Sequence, residues 1–313
     1  MVKTDSGFMM YYTGQSSGLQ IDQIGLATSS DGLSFTRYSQ NPVVTFGAAG
    51  EWDHDSVNEQ CVIYEAGQYK MWYSGQTYTP SAQIGTYQIG YATSPDGIKW
   101  TKYSGNPIFT PASAGSWDDG FVYRPMVFST GSSYTMYYVG TSKANASASG
   151  FGIATSSDGI HWTRSGVMAL PPQSNWDAYR QRITSILKVE GGYLMAYSGW
   201  GTGATAPAKI GLATSTDGLT WTPYPDNPVI AGIASSTWES GGVNNPMVIP
   251  VGGNYYVYYS AFPQGGSWNS VGLAILPMSQ YPVPEYPSAL LVIGTAILLS
   301  VGGSLLLRRR RVG

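Results

Sequence analysis

Four tryptophan–acid pairs recur along the chain, and the residues that follow them differ from copy to copy in a way that could carry chemistry. Seven residues after the tryptophans lie, in chain order, Glu59, Arg124, Ile183 and Asn245. Six residues after them lie Asn58, Tyr123, Arg182 and Asn244. A residue type that occurs in every copy is explained by the structure of the repeat, whereas a type that occurs in only one copy needs a separate reason. These positions are therefore the first candidates for a functional site.

The chemistry open to this set is acid–base catalysis or the binding of a polar ligand. Nearby guanidinium groups stabilise an ionised carboxylate, so Arg124 and Arg182 would favour a base or ligand-binding role for Glu59 over an acid role. We expect Glu59, Arg124, Arg182 and Asn245 to converge in one pocket, since they occupy the same level of successive strands. As further catalytic carboxyl groups we predict Asp53, Asp118 and Asp119, and as further binding residues His54, Asn58 and Tyr123.

A repeat with the signature Gly-x-Ala-Thr-Ser-x-Asp-Gly holds these positions. Its first glycine recurs about every sixty residues, with a degraded fifth copy, at Gly25, Gly90, Gly152, Gly211 and Gly272. Such a period, with several short alternating segments in each unit, is typical of radial or stacked arrays. The Asp-Gly pairs lie between two alternating segments and predict tight hairpins. Because these aspartates recur in matching turns, we assign a structural role to Asp31, Asp96, Asp158 and Asp217.

Each repeat contains four strand-like segments, which we expect to pair as one antiparallel sheet. Four-stranded sheets arranged around an axis form a β-propeller, whereas an open solenoid would need distinct capping repeats at both ends. The second and third segments occur five times, so we predict an all-β, five-bladed propeller over residues 1–278. By the same alignment the first blade lacks its opening strand, and the last blade lacks its closing strand.

Chain direction places two kinds of connection at the same end of this propeller. The tryptophan–acid pairs enter the opening strands there, and the loops between the second and third segments return there. These loops vary in length and carry the aromatic residues Tyr78, Tyr87, Trp200 and Trp268. Aromatic rings at a pocket mouth suit stacking against sugar rings, although loop packing explains them equally well. We predict Trp200 and Trp268 as binding residues.

The composition argues against several other classes of function. Charged residues make up only 11% of the chain, and Gly, Tyr and Trp are abundant, which favours strands and tight turns over helices. Four of the 16 basic residues fall at 308–311, which leaves 12 basic against 18 acidic residues, and this balance argues against nucleic-acid binding. With one cysteine and two histidines, neither an intrachain disulfide nor a zinc site is expected. We predict no metal and no cofactor.

The C-terminal region departs from the repeat. Residues 279–287 form a proline-rich linker, and residues 288–307 are uncharged and precede an arginine run. A helix of about 20 residues spans roughly 30 Å, and the basic residues after it predict a cytoplasmic end for residues 308–313. We therefore expect a propeller on the extracellular face, held by one transmembrane helix. The segment 284–287 followed by this span resembles C-terminal sorting signals, which implies a sortase-type processing enzyme as a partner.

The string W-[DE]…V…PMV…YxMxYSG…IGxATSxDGxxWT…NP resembles the five-bladed propellers of the arabinanase–levansucrase–invertase superfamily. Uncharacterised relatives of glycoside hydrolase families 43 and 32 are the most similar, over residues 1 to about 278. The resemblance implies that Asp, Asp and Glu from the opening strands of three blades cleave a glycosidic bond, a reaction that needs two carboxyl groups. In this chain Glu59 is the only acidic residue at that level of the opening strands, and Arg124, Ile183 and Asn245 occupy the equivalent positions.

Three functions remain open at this point. The first is a glycoside hydrolase-like enzyme, in which Glu59 acts as acid or base with a partner from the mouth or from the missing strand. The second is a non-catalytic carbohydrate-binding propeller, in which Arg124, Arg182 and Glu59 bind sugar hydroxyls or a carboxylate. The third is a structural surface or adhesion protein. A sialidase-like use of Arg124, Arg180 and Arg182 is disfavoured because that fold normally has six blades. The expected partner in the first two cases is carbohydrate.

Overall fold

The structure, a computed structural model, describes residues 1–15, 21–79, 84–144, 149–168, 170, 176–202, 207–266, 270–282 and 308–312. The chain divides into two compact units, Met1–Ala169 and Leu170–Val312. The first unit contains three antiparallel sheets and the second contains two. These sheets are the blades of an all-β, five-bladed propeller, so this part of the predicted fold is confirmed.

Three blades make up the first unit. Blade 1 consists of β1 (Val2–Thr4), β2 (Gly7–Gln15), β3 (Asp22–Ser29) and β4 (Thr36–Arg37). Blade 2 consists of β5 (Ser56–Glu65), β6 (Gln68–Thr79), β7 (Ile84–Ser94) and β8 (Thr101–Lys102). Blade 3 consists of β9 (Phe121–Ser129), β10 (Tyr134–Thr141), β11 (Ser149–Ser156) and β12 (Thr163–Met168). In each blade the strands pair in chain order.

Two blades make up the second unit. Blade 4 consists of β13 (Arg180–Val189), β14 (Gly192–Trp200), β15 (Lys209–Ser215) and β16 (Thr222–Pro223), with β17 (Ile230–Ala231) also paired to β15. Blade 5 consists of β18 (Gly242–Val251), β19 (Asn254–Phe262), β20 (Ser270–Pro277) and β21 (Arg308–Val312). A short 3-10 helix, η1 (Met278–Gln280), follows β20.

The first and last blades differ from the sequence expectation. Blade 1 does have an opening strand, because β1 pairs with the start of β2, with Thr4 opposite Gly7. This strand has three residues, so it reaches only the hairpin end of the position that β5 fills in blade 2. In blade 5, β21 pairs with β20 in the place of the missing closing strand. Residues 308–312 were predicted as part of a cytoplasmic tail, and in the structure they form this strand instead.

The packed chain also continues past residue 278, where the sequence analysis ended the propeller. Tyr281, in the predicted linker, is 5% exposed and belongs to the apolar core of the second unit. Its ring packs against Tyr224 at 5.5 Å between centroids. Among the described residues no helix has the length and apolar character needed to cross a membrane. The predicted transmembrane segment 288–307 lies outside those residues.

The tryptophan of each tryptophan–acid pair explains the glycines of the repeat. A Cβ added at Gly75 would lie 2.2 Å from the Trp52 ring, and one added at Gly90 would lie 2.6 Å from it. The indole therefore lies against two neighbouring strands where only hydrogen atoms leave room. In blade 4, Gly199 and Gly211 meet Trp176 in the same way, at 2.4 and 2.7 Å, so in these two blades the motif encodes how the segment before the opening strand packs on its own blade.

The fourth strands are short because an asparagine side chain replaces the strand. In blade 2, Asn106 Oδ1 accepts the N–H of Tyr91 at 2.8 Å, and its Nδ2 donates to the C=O of the same residue at 2.9 Å. Asn41 and Asn227 make the same pair of bonds in blades 1 and 4. Blade 3 has no Asn-Pro at this point, and its fourth strand β12 extends over six residues.

The Asp-Gly turns have the structural role predicted for them. Asp96 Oδ1 accepts the N–H groups of Ile98 and Lys99 at 2.8 Å, and these bonds lower the pKa of its carboxyl group. Gly97 follows with φ of 73°, a conformation that glycine adopts without steric cost. The turns at Asp31, Asp158 and Asp217 have the same bonds.

Candidate functional site

The opening strands of blades 2, 3 and 5 each contain a bulge that presents one polar residue. Register shifts mark the bulges in β5, β9 and β18. The residues with a positive φ in them are Glu59 (51°), Arg124 (56°) and Asn245 (52°). A residue other than glycine in this region costs on the order of 1–3 kcal/mol, and such residues cluster at functional sites. Three of the four positions singled out from the sequence are therefore the strained positions of their strands.

Glu59 and Arg124, from neighbouring blades of the first unit, form an ion pair. Arg124 Nη2 contacts Glu59 Oε1, and the two side chains are 14% and 23% exposed. At this degree of burial the attraction between the charges is screened less than at a free surface. Arg124 Nε is also buried and has no hydrogen-bond partner among the described residues. The pair therefore keeps a donor available beside the carboxylate.

A second carboxyl group, that of Asp22, is held at this place by Asn58. Asn58 Nδ2 donates to Asp22 Oδ2 at 3.0 Å and to Ser56 Oγ at 3.1 Å. Asn58 is 6% exposed, and its Oδ1 has no hydrogen-bond partner within the described part of the chain. A buried acceptor left unpaired costs about 1–3 kcal/mol. This amide oxygen is therefore an acceptor that a ligand hydroxyl would satisfy.

The phenol of Tyr87 lies in the field of both acids. Burial, and then the charges of Glu59 and Asp22, raise the pKa of Tyr87 to about 12, so the phenol is protonated at neutral pH. Its ring packs against Tyr123 at 5.4 Å and against Phe121 at 5.9 Å between centroids. An aromatic surface therefore adjoins two carboxyl groups and the Arg124 guanidinium, as a sugar-binding site requires.

The second unit carries the other predicted binding residues. Arg180 and Arg182 lie over the ring of Trp200, at 5.7 and 5.5 Å from its centroid. The backbone N–H of Asn245 donates to Ser198 Oγ at 3.1 Å and to Asn244 Oδ1 at 2.7 Å. The predicted convergence of Arg182 and Asn245 with Glu59 stays a prediction. Trp268 lies outside the described residues.

Asp53 and Asp118, predicted as catalytic candidates, are bound within their own blades. They are 2% and 1% exposed. Each accepts a tyrosine hydroxyl from the second strand and a basic group from the fourth: Tyr73 (3.2 Å) and Lys102 (2.6 Å) bind Asp53, and Tyr138 (2.8 Å) and Arg164 (2.7 Å) bind Asp118. Burial and the neighbouring carboxylate raise the pKa of both tyrosines. The tyrosine contact recurs in blades 4 and 5, where Tyr197 binds Asp177 and Tyr259 binds Glu239, so it fits a structural role.

Asp119 and His54 also have local partners. Asp119 accepts the backbone N–H groups of Lys143 and Gly115 at 2.8 Å, and these bonds lower the pKa of its carboxyl group. His54 Nδ1 lies 3.0 Å from Asp55 Oδ1. Among the described residues no group of three His, Cys, Asp or Glu side chains could hold a metal ion.

Asp22 is a further candidate residue that was not predicted, although the repeat contains a signal for it. It stands two residues before Ile24 of the repeat signature, and Tyr87 stands at the equivalent position of the next blade. The later copies carry Ser149 and Ala208 there. The position thus varies from copy to copy, as the Glu59 position does. The third strands therefore carry the same kind of signal as the opening strands do.

Solved structures share this fold at low sequence identity. A glycoside hydrolase aligns with a TM-score of 0.68 and 17% identity, over 94% of this chain and 89% of its own. The β-1,2-mannobiose phosphorylase from Listeria innocua, in complex with β-1,2-mannobiose, aligns with a TM-score of 0.55 and 14% identity, over 77% of this chain and 78% of its own. At these identities the likeness shows the fold alone.

Relatives are also found by sequence, although no family model matches the chain. The 1,2-β-oligomannan phosphorylase of Thermoanaerobacter sp. is 26% identical over 236 residues, which cover 73% of this chain and 72% of that protein. Uncharacterized protein Rv1502 of Mycobacterium tuberculosis is 31% identical over 220 residues, which cover 68% of this chain and 69% of that protein. At this identity and coverage, the chain belongs to the same family as the mycobacterial protein Rv1502.

Proposed function

We propose that this chain cleaves glycosidic bonds in oligosaccharides, at the site formed by Glu59, Asp22 and Arg124. The observation that carries the proposal is the pairing of two carboxyl groups with buried polar atoms that lack partners in the described chain, Asn58 Oδ1 and Arg124 Nε. Cleavage of a glycosidic bond needs a group that protonates the leaving oxygen and a group that delivers the nucleophile. Most buried polar atoms in proteins are hydrogen-bonded, so two that lack partners beside a pair of carboxyl groups need an explanation.

The two carboxyl groups differ in their surroundings, which supports different roles. Glu59 contacts the Arg124 guanidinium, and a nearby positive charge favours the ionised carboxylate. This suits a base or a nucleophile. Asp22 accepts a neutral amide donor from Asn58 and forms no ion pair with a basic side chain of the described residues, and we assign to it the role of the group that protonates the leaving oxygen. Tyr87, which stays protonated, is a donor for a sugar hydroxyl.

Water and phosphate are the two nucleophiles to be distinguished. The resemblance to glycoside hydrolase families 43 and 32 supports water, whereas the relatives named as mannoside phosphorylases support phosphate. In phosphorolysis a phosphate oxygen bonds to the anomeric carbon, the glycosidic C–O bond breaks and the leaving oxygen takes one proton. That reaction needs no base to activate water, and Arg124 Nε is a donor that a phosphate oxygen could accept from.

The test is an assay of the whole chain on β-1,2-mannobiose and on arabinan, fructan and xylan oligosaccharides, each with and without inorganic phosphate. Free sugar without phosphate supports hydrolysis, and a sugar 1-phosphate formed only with phosphate supports phosphorolysis. Glu59→Gln and Asp22→Asn should each lower the rate by about 10²-fold or more, as loss of an acid or base does. Glu190→Gln, in the exposed turn before β14, is the matched control and should leave the rate unchanged.

A second candidate is a carbohydrate-binding propeller without catalysis. It is favoured by the contact that engages the Glu59 carboxylate with Arg124, since a ligand hydroxyl can bind such a pair without any reaction. Calorimetric titration of the same oligosaccharides separates the two functions. Binding that Arg124→Ala abolishes, without any product from the unmodified chain, supports the binding function.

We also propose, from the sequence alone, that the chain is displayed at the cell surface and anchored through residues 288–307, with sortase-type processing as an option. The pairing of residues 308–312 with β20 competes with this proposal, because a strand cannot pair with blade 5 from the far side of a membrane. Protease treatment of intact cells decides between them. Release of the propeller supports anchoring, and its recovery in the soluble fraction of lysed cells contradicts it.

A further inference from the structure

Each bulge residue with a positive φ is tied to a hydroxyl of the preceding blade. Its backbone N–H donates to the hydroxyl of the Ser or Thr residue that comes directly after a tyrosine in the second strand of that blade. The three bonds run from Glu59 to Thr13 Oγ1 (3.2 Å), from Arg124 to Ser74 Oγ (2.9 Å) and from Asn245 to Ser198 Oγ (3.1 Å). The three hydroxyls occupy one position of the repeat. The bond therefore accompanies the left-handed residue, because β13 also has a register shift, between Ile183 and Ser185, but no residue with a positive φ there.

The remaining opening strand agrees with this rule. In β13 the equivalent residue is Ile183, which is buried and is not among the residues with a positive φ. The second strand that precedes it in the chain is β10, and the position after its tyrosine carries Val139. Where the hydroxyl is replaced by a methyl group, the left-handed residue is also missing.

The physical reason lies in the backbone amide of the bulge. A bulged residue is left out of the regular pairing of its strand, so its N–H needs another acceptor when water cannot reach it. Ser74 is fully buried, so its hydroxyl is the acceptor for Arg124 and water cannot replace it. Thr13 is exposed, so water can take over its bond to Glu59. Of the two hydroxyls beside the proposed site, that of Ser74 is therefore the one whose hydrogen bond water cannot replace.

We propose that Ser74 is a positioning residue, whose hydroxyl holds Arg124 in the left-handed conformation and thereby directs the guanidinium towards Glu59. Its effect on catalysis rests on the proposed function, whereas its effect on the backbone does not. The ion pair joins side chains of two blades, and the direction of the Arg124 side chain depends on its own φ. Loss of the bond would turn the guanidinium away from the site without removing any group that contacts substrate.

The experiment compares Ser74→Ala, Ser74→Thr and a matched control, Ser185→Ala. Ser185 Oγ also accepts a backbone N–H of the next opening strand, that of Val248 at 3.0 Å. Ser185 is 5% exposed, and Val248 is not among the residues with a positive φ. Both alanine variants therefore lose a buried bond between strands, but only Ser74→Ala loses one at a bulge residue of the proposed site.

Two readouts are taken on each variant, the crystal structure and the kinetics on the substrate identified for the wild type. We expect Arg124 to leave the left-handed region in Ser74→Ala, and kcat to fall by about 10- to 100-fold, the effect of misplacing a group by about 1 Å. Ser74→Thr should restore both. Ser185→Ala should lower thermal stability while leaving kcat unchanged.

The outcomes separate this inference from the proposed function. If Arg124 keeps its φ near 56° in Ser74→Ala, the inference is overturned whether or not the wild type cleaves any glycoside. If φ changes but kcat is lowered equally by Ser185→Ala, the effect is one of stability and the positioning role is also overturned. If φ changes as expected while the wild type cleaves none of the glycosides, the backbone role stands and the proposed function fails.

Discussion

Replacing Arg164 by methionine tests the structural role assigned to the buried acids. Arg164 Nε binds Asp118 Oδ2 at 2.7 Å, and the two side chains are 34% and 1% exposed. Removing one partner of a buried pair costs about 3–5 kcal/mol because the other charge is left uncompensated. Since Arg164 is one-third exposed, water can partly solvate the carboxylate, and we expect the lower end, about 3 kcal/mol.

A second contact of Arg164 adds to this cost. Its guanidinium lies 4.2 Å from the centroid of Phe109, and a cation over an aromatic ring contributes about 0.5–1 kcal/mol at a partly exposed position. The sum is about 3–4 kcal/mol. At about 2–4 °C per kcal/mol for a chain of this size, the thermal midpoint should fall by roughly 6–16 °C. Thermal unfolding followed by far-ultraviolet circular dichroism measures it.

Arg37→Met is the matched control for this prediction. Arg37 stands at the same position of β4 as Arg164 does in β12, opposite the alanine of the repeat signature. Its guanidinium carbon lies 6.0 Å from the centroid of the Tyr12 ring, and among the residues that the structure describes it forms no ion pair. We expect less than about 1 kcal/mol of destabilisation. Equal shifts in the two variants would refute the claim that the buried acid depends on its basic partner.

Two further changes test the repeat and its charges. In Gly90→Ala the new Cβ would lie 2.6 Å from the Trp52 ring, so we expect about 1–3 kcal/mol of destabilisation from overpacking. The control is Gly166→Ala, whose new Cβ meets nothing within 4 Å and should leave the urea midpoint unchanged. Equal urea midpoints in the two variants would contradict the packing argument. Hydrogen bonds from Lys70, Ser129 and Tyr134 lower the pKa of Glu65 to about 2, so the stabilisation by this carboxylate is present above the ordinary carboxyl pKa and is lost as pH falls towards 2. Glu65→Gln should therefore reduce the change of the urea midpoint between pH 5 and pH 2. An unchanged pH dependence of the midpoint would show that Glu65 is not responsible.

The repeat made the fold predictable, and particular residues show why. Gly90 and its copies, the Asp-Gly turns and the Asn-Pro pairs each recur because one physical requirement recurs in every blade. The prediction of strands failed where a strand position is filled by residues that do not show the repeat pattern. The three residues of β1 are too few to show alternation, and β21 is an arginine run whose composition predicts a tail and not a strand.

The site was predictable only in part, for a different reason. Glu59 and Arg124 were found because they break the repeat on the opening strand, and their ion pair follows from equivalent positions in neighbouring blades. Asp22 was missed because it reaches the site from a third strand, through a hydrogen bond from Asn58. The variable position of Asp22 is visible in the repeat, but its contact with Asn58 depends on how two blades pack. Asp118 was predicted as a catalytic candidate because its binding by Tyr138 and Arg164 of its own blade becomes visible only in the structure.

The central claim is that a glycosidic bond is held at Glu59 and Asp22, and a crystal structure of Glu59→Gln with β-1,2-linked mannooligosaccharide tests it most directly. The substitution keeps the shape of the side chain and removes its charge, so the uncleaved sugar should remain bound. We predict a sugar ring beside Tyr87, a hydroxyl bound to Asn58 Oδ1, and a glycosidic oxygen within about 2.6–3.2 Å of a carboxyl oxygen of Asp22. Sugar bound only elsewhere on the chain, with these atoms still unpaired, would contradict the claim.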